Sequence, residues 1–141
     1  MLRFELPADK RLIYEKAIPI RWGDMDAFGH VNNTVYFRFM ETMRVDWLQE
    51  QLGSVARDEG PVVVNAFCNF LRELSYPGDV LGRMYVGEVG RSSMDTYVTM
   101  SRTDDPDTVY AEGGARMVWV NYAQSKSMPI PEALRALVPT G

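Results

Sequence analysis

Cysteine, histidine and positive charge are all scarce in this chain, and each shortage narrows what it can do. There is one cysteine and one histidine in 141 residues. Cys68 alone rules out an intrachain disulfide. It lies in an apolar, strand-like run far from His30, which suits a core thiol better than a nucleophile with a partner base. A single His and a single Cys far apart do not make a metal site, so no metal is expected. There is no G-x-S-x-G segment for a serine triad. No Walker loop or dinucleotide fingerprint is present, and no cofactor is expected. No run approaches the roughly 18 apolar residues of a membrane span. Met1-Leu2-Arg3-Phe4-Glu5 lacks the apolar stretch of a signal peptide, so the cytoplasm is the expected compartment. Fifteen Lys and Arg stand against 19 Asp and Glu, for a net charge of −4. That balance argues against a nucleic-acid partner, which needs a basic face. It leaves room for a small anion held by a few local cations.

What is present suits a globular protein: 46% of residues are hydrophobic and 11% aromatic. The length predicts one domain, residues 1–141, large enough to bury a core. Residues 14–22 read as a strand with Ile18, Ile20 and Trp22 on one face, interrupted at Pro19. A loop from Gly23 to Gly29 follows. Asn33 to about Leu52 reads as a long helix without Pro or Gly. Val35, Phe39, Met43 and Trp47 recur every four residues, and Tyr36, Met40, Leu48 and Leu52 widen the stripe. A stripe that broad predicts a helix enclosed on several sides. Gly53 closes it.

Four strands are then expected. The first begins after Gly60-Pro61, with Val62, Val64, Ala66, Cys68 and Phe70 alternating against Val63, Asn65, Phe67, Asn69 and Leu71. The others cover about 79–89, 94–103 and 108–122, with turns at Gly90–Ser93 and Asp104–Asp107. Pro131 to Leu137 reads as a short terminal helix. Three successive hairpins after one apolar helix predict an α+β layer, a curved antiparallel sheet around that helix. The two-faced strands leave apolar surface for a partner chain.

The segment Arg21-Trp22-Gly23-Asp24-Met25-Asp26-Ala27-Phe28-Gly29-His30-Val31-Asn32-Asn33 is the chemically dense part. It puts two carboxylates, an imidazole and two amides between a strand and a helix. The first N–H groups of a helix lack intrahelical acceptors and, with the helix dipole, favour negative charge. A thioester carbonyl there is stabilised as it becomes an oxyanion. A nearby carboxylate can act as base or nucleophile. The plainer alternative is that Asp24 and Asn32 only cap the helix and Gly29 only serves the turn.

This segment, with Tyr36 and Glu41, resembles the opening motif of the 4-hydroxybenzoyl-CoA thioesterase family of hotdog proteins. Phe70–Leu74, Tyr76-Pro77-Gly78-Asp79, Gly90–Ser93, Ala111-Glu112-Gly113 and Val118-Trp119-Val120 resemble later strands of that family. The likeness spans about residues 14–135. It implies the hotdog fold, a five-stranded antiparallel sheet wrapped around one long central helix. It also implies an acyl-CoA substrate, a homodimer or homotetramer, and sites at the dimer interface. Asp26 takes the place of the catalytic carboxylate, Asn33 that of the N–H polarising the thioester, and Asp24 that of a loop-stabilising residue. His30-Val31-Asn32-Asn33 is similar to a second subgroup, in which His30 is a candidate to position the carbonyl or a water.

For the CoA phosphates, Arg91 with Ser92 and Ser93 is the first candidate, against the alternative of a plain surface turn. Arg72 and Lys126 are weaker ones. The expected reaction is hydrolysis of acyl-CoA to free acid and CoA. One rival is an enoyl-CoA hydratase or dehydratase, whose Asp and His usually have four residues between them. Here Asp26 and His30 have three. Another rival is a non-catalytic acyl-CoA-binding module.

Overall fold

The computed structural model of the chain describes residues 3–53 and 58–138. A twenty-residue run free of Gly and Pro forms one helix, α1 (Asn33–Leu52), with the expected bounds. The Asn32 side chain caps its start by accepting the Thr34 N–H at 2.9 Å. Gly53 ends it at φ 69°, a left-handed conformation that favours glycine. Strands β1 (Arg11–Pro19), β2 (Glu59–Phe70), β3 (Asp79–Val89), β4 (Ser93–Arg102) and β5 (Ala111–Asn121) form one antiparallel sheet in the order β1-β3-β4-β5-β2. A sixth strand, β6 (Lys126–Ser127), pairs with β5 beyond the five expected. A short helix, α2 (Glu132–Arg135), lies near the C-terminus, within the longer span expected there.

The sheet wraps α1 in the hotdog arrangement. Tyr36, Phe39, Met40, Met43, Trp47 and Leu48 are buried from the helix. Val80, Met84, Val86, Met94, Val98, Met100, Met117 and Trp119 face them from the strands. Each such burial contributes roughly 1.5–3 kcal/mol. The helix comes closest to the sheet over two glycines. A Cβ on Gly82 would lie 2.7 Å from the Met43 sulfur, and one on Gly113 would lie 2.7 Å from the Met40 sulfur.

Four expectations are corrected. β1 stops at Pro19, whose ring removes a ladder donor, and Trp22 lies in a 3-10 turn (Trp22–Asp24), 76% exposed rather than inward. β2 and β3 do not form a hairpin. β2 lies beside β5, and residues 71–78 cross the end of the sheet, so two of the three expected hairpins are present. The face of β2 changes partway, because a bulge leaves Val64 unpaired between Val63 and Asn65. Before the bulge Val63 opposes the core residue Met117; after it Ala66, Cys68 and Phe70 oppose Ala115, Gly113 and Ala111. Finally, α1 is covered on one broad side only. Its opposite flank exposes Phe37 and Val45 beside Arg38 and Glu41.

On the outer face, Asn69 is 8% exposed, and its amide holds the N-terminal arm. It donates to the Phe4 carbonyl at 2.6 Å and accepts the Phe4 N–H at 3.4 Å. The Phe4 ring rests on Phe67 with centroids 5.3 Å apart.

Gly113→Ala tests the close approach of helix and sheet. The added Cβ would lie 2.4 Å from the Phe67 backbone oxygen, which cannot swing aside. The expected loss is about 1–3 kcal/mol of unfolding free energy by urea titration.

Candidate active site

The loop between β1 and α1 is built from short-range hydrogen bonds. Asp24 accepts the Arg21 N–H at 2.8 Å and so stabilises the 3-10 turn. Asp26 folds the following residues around itself. Its N–H donates to the His30 carbonyl at 2.8 Å, and its carbonyl accepts the Gly29 N–H at 3.2 Å. Its Oδ1 accepts the N–H of Phe28 at 2.9 Å and that of His30 at 3.4 Å. Aspartate commonly makes this kind of turn with the backbone two residues on. Here it fixes the carboxylate and leaves Oδ2 without such a bond. Gly29, at φ 82°, completes the turn.

The crossover segment of residues 71–78 pins this loop. The Val31 N–H donates to the Leu74 carbonyl at 2.8 Å, and the Ile20 N–H to the Gly78 carbonyl at 2.9 Å. The Ser75 hydroxyl donates to the Gly29 carbonyl at 3.0 Å. The Tyr36 hydroxyl accepts the Leu74 N–H at 3.3 Å, tying the crossover to α1. Arg102 holds the crossover from β4, donating to the carbonyls of Ser75 at 2.9 Å and Pro77 at 2.8 Å.

Asp26, His30 and Asn33 therefore line one groove, of about 420 Å³, with Tyr36, Phe70, Arg72 and Glu73. Asn32 engages the next two helical donors, taking the Thr34 N–H with its side chain and the Val35 N–H with its carbonyl, each at 2.9 Å. The Asn33 N–H has no acceptor among the described residues. It is the donor a substrate oxygen can use. Burial raises the Tyr36 phenol above its ordinary pKa, so it stays protonated.

Glu73 is the residue that sequence reasoning missed. Its Oε2 lies 3.0 Å from His30 Nε2. No local motif signals this pair, because 42 residues lie between the two and only the crossover brings them together. Both side chains are substantially exposed, so the pair orients the imidazole more than it stabilises the fold.

The proposed phosphate holders lie elsewhere. Arg91, Ser92 and Ser93 follow the far end of β3, roughly 35 Å of strand from the groove. Their backbone is already engaged. Arg135 donates to the Gly90 carbonyl at 2.7 Å and to the Arg91 carbonyl at 3.1 Å. The Ser92 carbonyl accepts the Trp119 N–H at 2.7 Å. Within one chain the structure does not join this turn to Asp26, whereas Arg72 stands in the groove itself. Lys126 lies in β6, apart from the groove residues.

Among the described residues no three His, Cys, Asp or Glu side chains converge as metal ligands do. No described helix is long and apolar enough to cross a membrane. Burial pushes the Cys68 thiol up to about 12, with a smaller contribution from Glu112.

The profile of the Thioesterase-like superfamily matches residues 20–138, from the end of β1 to the last described residue. The chain belongs to that superfamily. Among solved structures it is similar to the PA2801 protein of Pseudomonas aeruginosa, a proposed thioesterase. The two share 38% identity with a TM-score of 0.84, over 89% of this chain and 98% of that one. A proposed acyl-CoA thioesterase of Xanthomonas campestris, XC229, shares 30% identity with a TM-score of 0.77, over 85% of this chain and all of its own. The PA5185 protein of Pseudomonas aeruginosa shares 25% identity with a TM-score of 0.81, over 92% and 94%. No curated protein matches the chain. Membership of this superfamily makes the chain a thioester hydrolase in general terms.

Two outcomes test the site's construction. Asn32→Ala removes the cap and should lower unfolding free energy by about 0.5–2 kcal/mol, with faster hydrogen exchange at the Thr34 amide. The raised Cys68 pKa makes the thiolate a minor species in the native chain. Native protein at pH 8 should therefore resist iodoacetamide, while the urea-unfolded chain reacts. The sign for stability follows. The unfolded thiol ionises first, so this group's contribution is constant below pH ~8.5 and declines as pH rises towards 12.

Proposed function

We propose that the protein hydrolyses an acyl-CoA thioester to a free acid and CoA, as the resemblance to the 4-hydroxybenzoyl-CoA thioesterase family implies. The observation that carries this reading is the groove in which the Asp26 carboxylate and the unengaged Asn33 N–H stand together at the start of α1. The thioester oxygen accepts the Asn33 N–H, and the helix dipole favours the charge that develops there. Asp26 takes a proton from water as its oxygen bonds to the carbonyl carbon. The tetrahedral oxyanion then collapses, the C–S bond breaks, and the sulfur leaves as CoA thiol with that proton. In the covalent variant, Asp26 attacks the carbon itself and expels the thiolate. Water then cleaves the resulting anhydride. His30, oriented by Glu73, positions the carbonyl or the attacking water.

The assembly we propose is a homodimer, or a homotetramer of two such dimers. β2 pairs with β5 on one side only. Next to its free edge, Val62, Val63 and Val64 are 41%, 44% and 55% exposed. Unpaired apolar edges invite a second strand. An antiparallel pairing of two β2 edges about a two-fold axis turns the partner's sheet end for end. The partner's Gly90–Ser93 turn is then directed towards the groove, which is how that turn can serve CoA phosphates. Arg72 serves them from the same chain.

Asp26→Asn should stay folded and lose about 10²–10⁴-fold in thiol release from acyl-CoA. Near wild-type turnover would remove Asp26 from the mechanism. Label entering the Asp26 carboxylate in single-turnover hydrolysis in ¹⁸O-water would identify the covalent route, with water opening the anhydride at the Asp26 carbon.

A further inference from the structure

α1 borders more than the groove at Asp26. A second depression of about 600 Å³ lies between α1 and the inner face of β2. Phe70 lines the first, while Ala66 and Val63 line the second, so β2 runs back along α1 as the helix proceeds from Thr34 to Arg44. Val35, Phe37, Val63 and Ala66 give it apolar walls, and the carboxylates of Asp24 and Glu41 line it as well. Arg44 stands at the far end.

The Arg44 side chain is half-buried, yet it makes no hydrogen bond or ion pair among the described residues. Burial lowers its pKa, and Glu41 opposes this only through longer-range attraction. Arg38, in the same groove, is already paired with Glu41 at 3.5 Å. A half-buried guanidinium without a partner favours an anion that completes its hydrogen bonds. Its two-pronged donor set matches a carboxylate.

We infer that Arg44 reads the distal end of the acyl group, and that the substrates are acyl-CoAs bearing a carboxylate at the far end of the acyl chain. This rests on the acyl-CoA thioesterase reading. Arg44 lies eleven residues beyond Asn33, or ~16 Å along the helix axis. Arginine side chains lean back towards the helix start. The span from the Asn33 N–H to the guanidinium is therefore roughly 10–16 Å. At ~1.3 Å per carbon of extended chain, it matches about 8–12 carbons.

The test compares kcat/KM for the mono-CoA thioesters of decanedioic and dodecanedioic acids with decanoyl- and dodecanoyl-CoA. In the wild type the carboxylate-ended substrates should lead by at least about 10-fold. Arg44→Gln should reduce that ratio by about 10–100-fold, mainly through KM, and Arg44→Lys should restore part of it. A wild-type ratio of one or less overturns the inference, and this reading does not require any variant to fold. A ratio that survives Arg44→Gln also overturns it. If that variant instead dissociates the oligomer in sedimentation with the ratio intact, the anion belongs to a second copy and the inference fails. If the wild type cleaves methyl-ended, butyryl- or benzoyl-CoA without a preference for carboxylate, only this inference falls. If it cleaves no acyl-CoA, the thioesterase reading falls and takes this one with it.

Discussion

Met40 and Met43 lie directly over Gly113 and Gly82, and this close contact between helix and sheet sets the position of the other elements. Bringing a helix this near to a sheet requires bare backbone on the strand side. Glycines on β3 and β5 supply it. The flexible thioethers then fill the remaining irregular space, which suits methionine's unbranched side chain. Met84, Met94, Met100 and Met117 continue the same packing across the sheet. With α1 held at that depth, its N-terminus comes to one end of the sheet, at the edge of the groove.

The site depends on a second contact, between the crossover of residues 71–78 and the loop before α1. Its hydrogen bonds come mostly from backbone groups: Leu74 to Val31, Gly78 to Ile20, and Ser75 to the Gly29 carbonyl. Arg102 braces the crossover from behind. A carboxylate, an imidazole and a free helix N–H are thus placed by segments distant in sequence. The side chains themselves are partly exposed, so their arrangement owes more to the backbone around them than to their own ion pairing.

Much of this was legible in the chain of residues. The α1 stripe is long and uninterrupted, and periodicity is most reliable for such runs. Asp26, His30 and Asn33 fall within eight residues, so the chain itself keeps them near one another, while the crossover fixes their arrangement. Three features escaped for identifiable reasons. The bulge at Val64 shifts the faces of β2 by one residue, and an apolar run of three valines gives no sign of which one is extra. Glu73 reaches His30 only through the crossover, which the pattern mistook for a hairpin connection. Within one chain the turn of Arg91, Ser92 and Ser93 stands at the other end of the sheet from the groove, a distance that composition does not reveal.

The sequence by itself determined the local parts: one long helix capped at Asn32, five strands, and an Asp26 turn leading into the helix. Each follows from side-chain period, capping chemistry or turn geometry over a few residues. Tertiary structure alone decided strand order, the partner of His30 and, among the described residues, the unengaged guanidinium of Arg44 and the open edge of β2. Those depend on which distant segments share surface, and short-range periodicity carries no information about that choice.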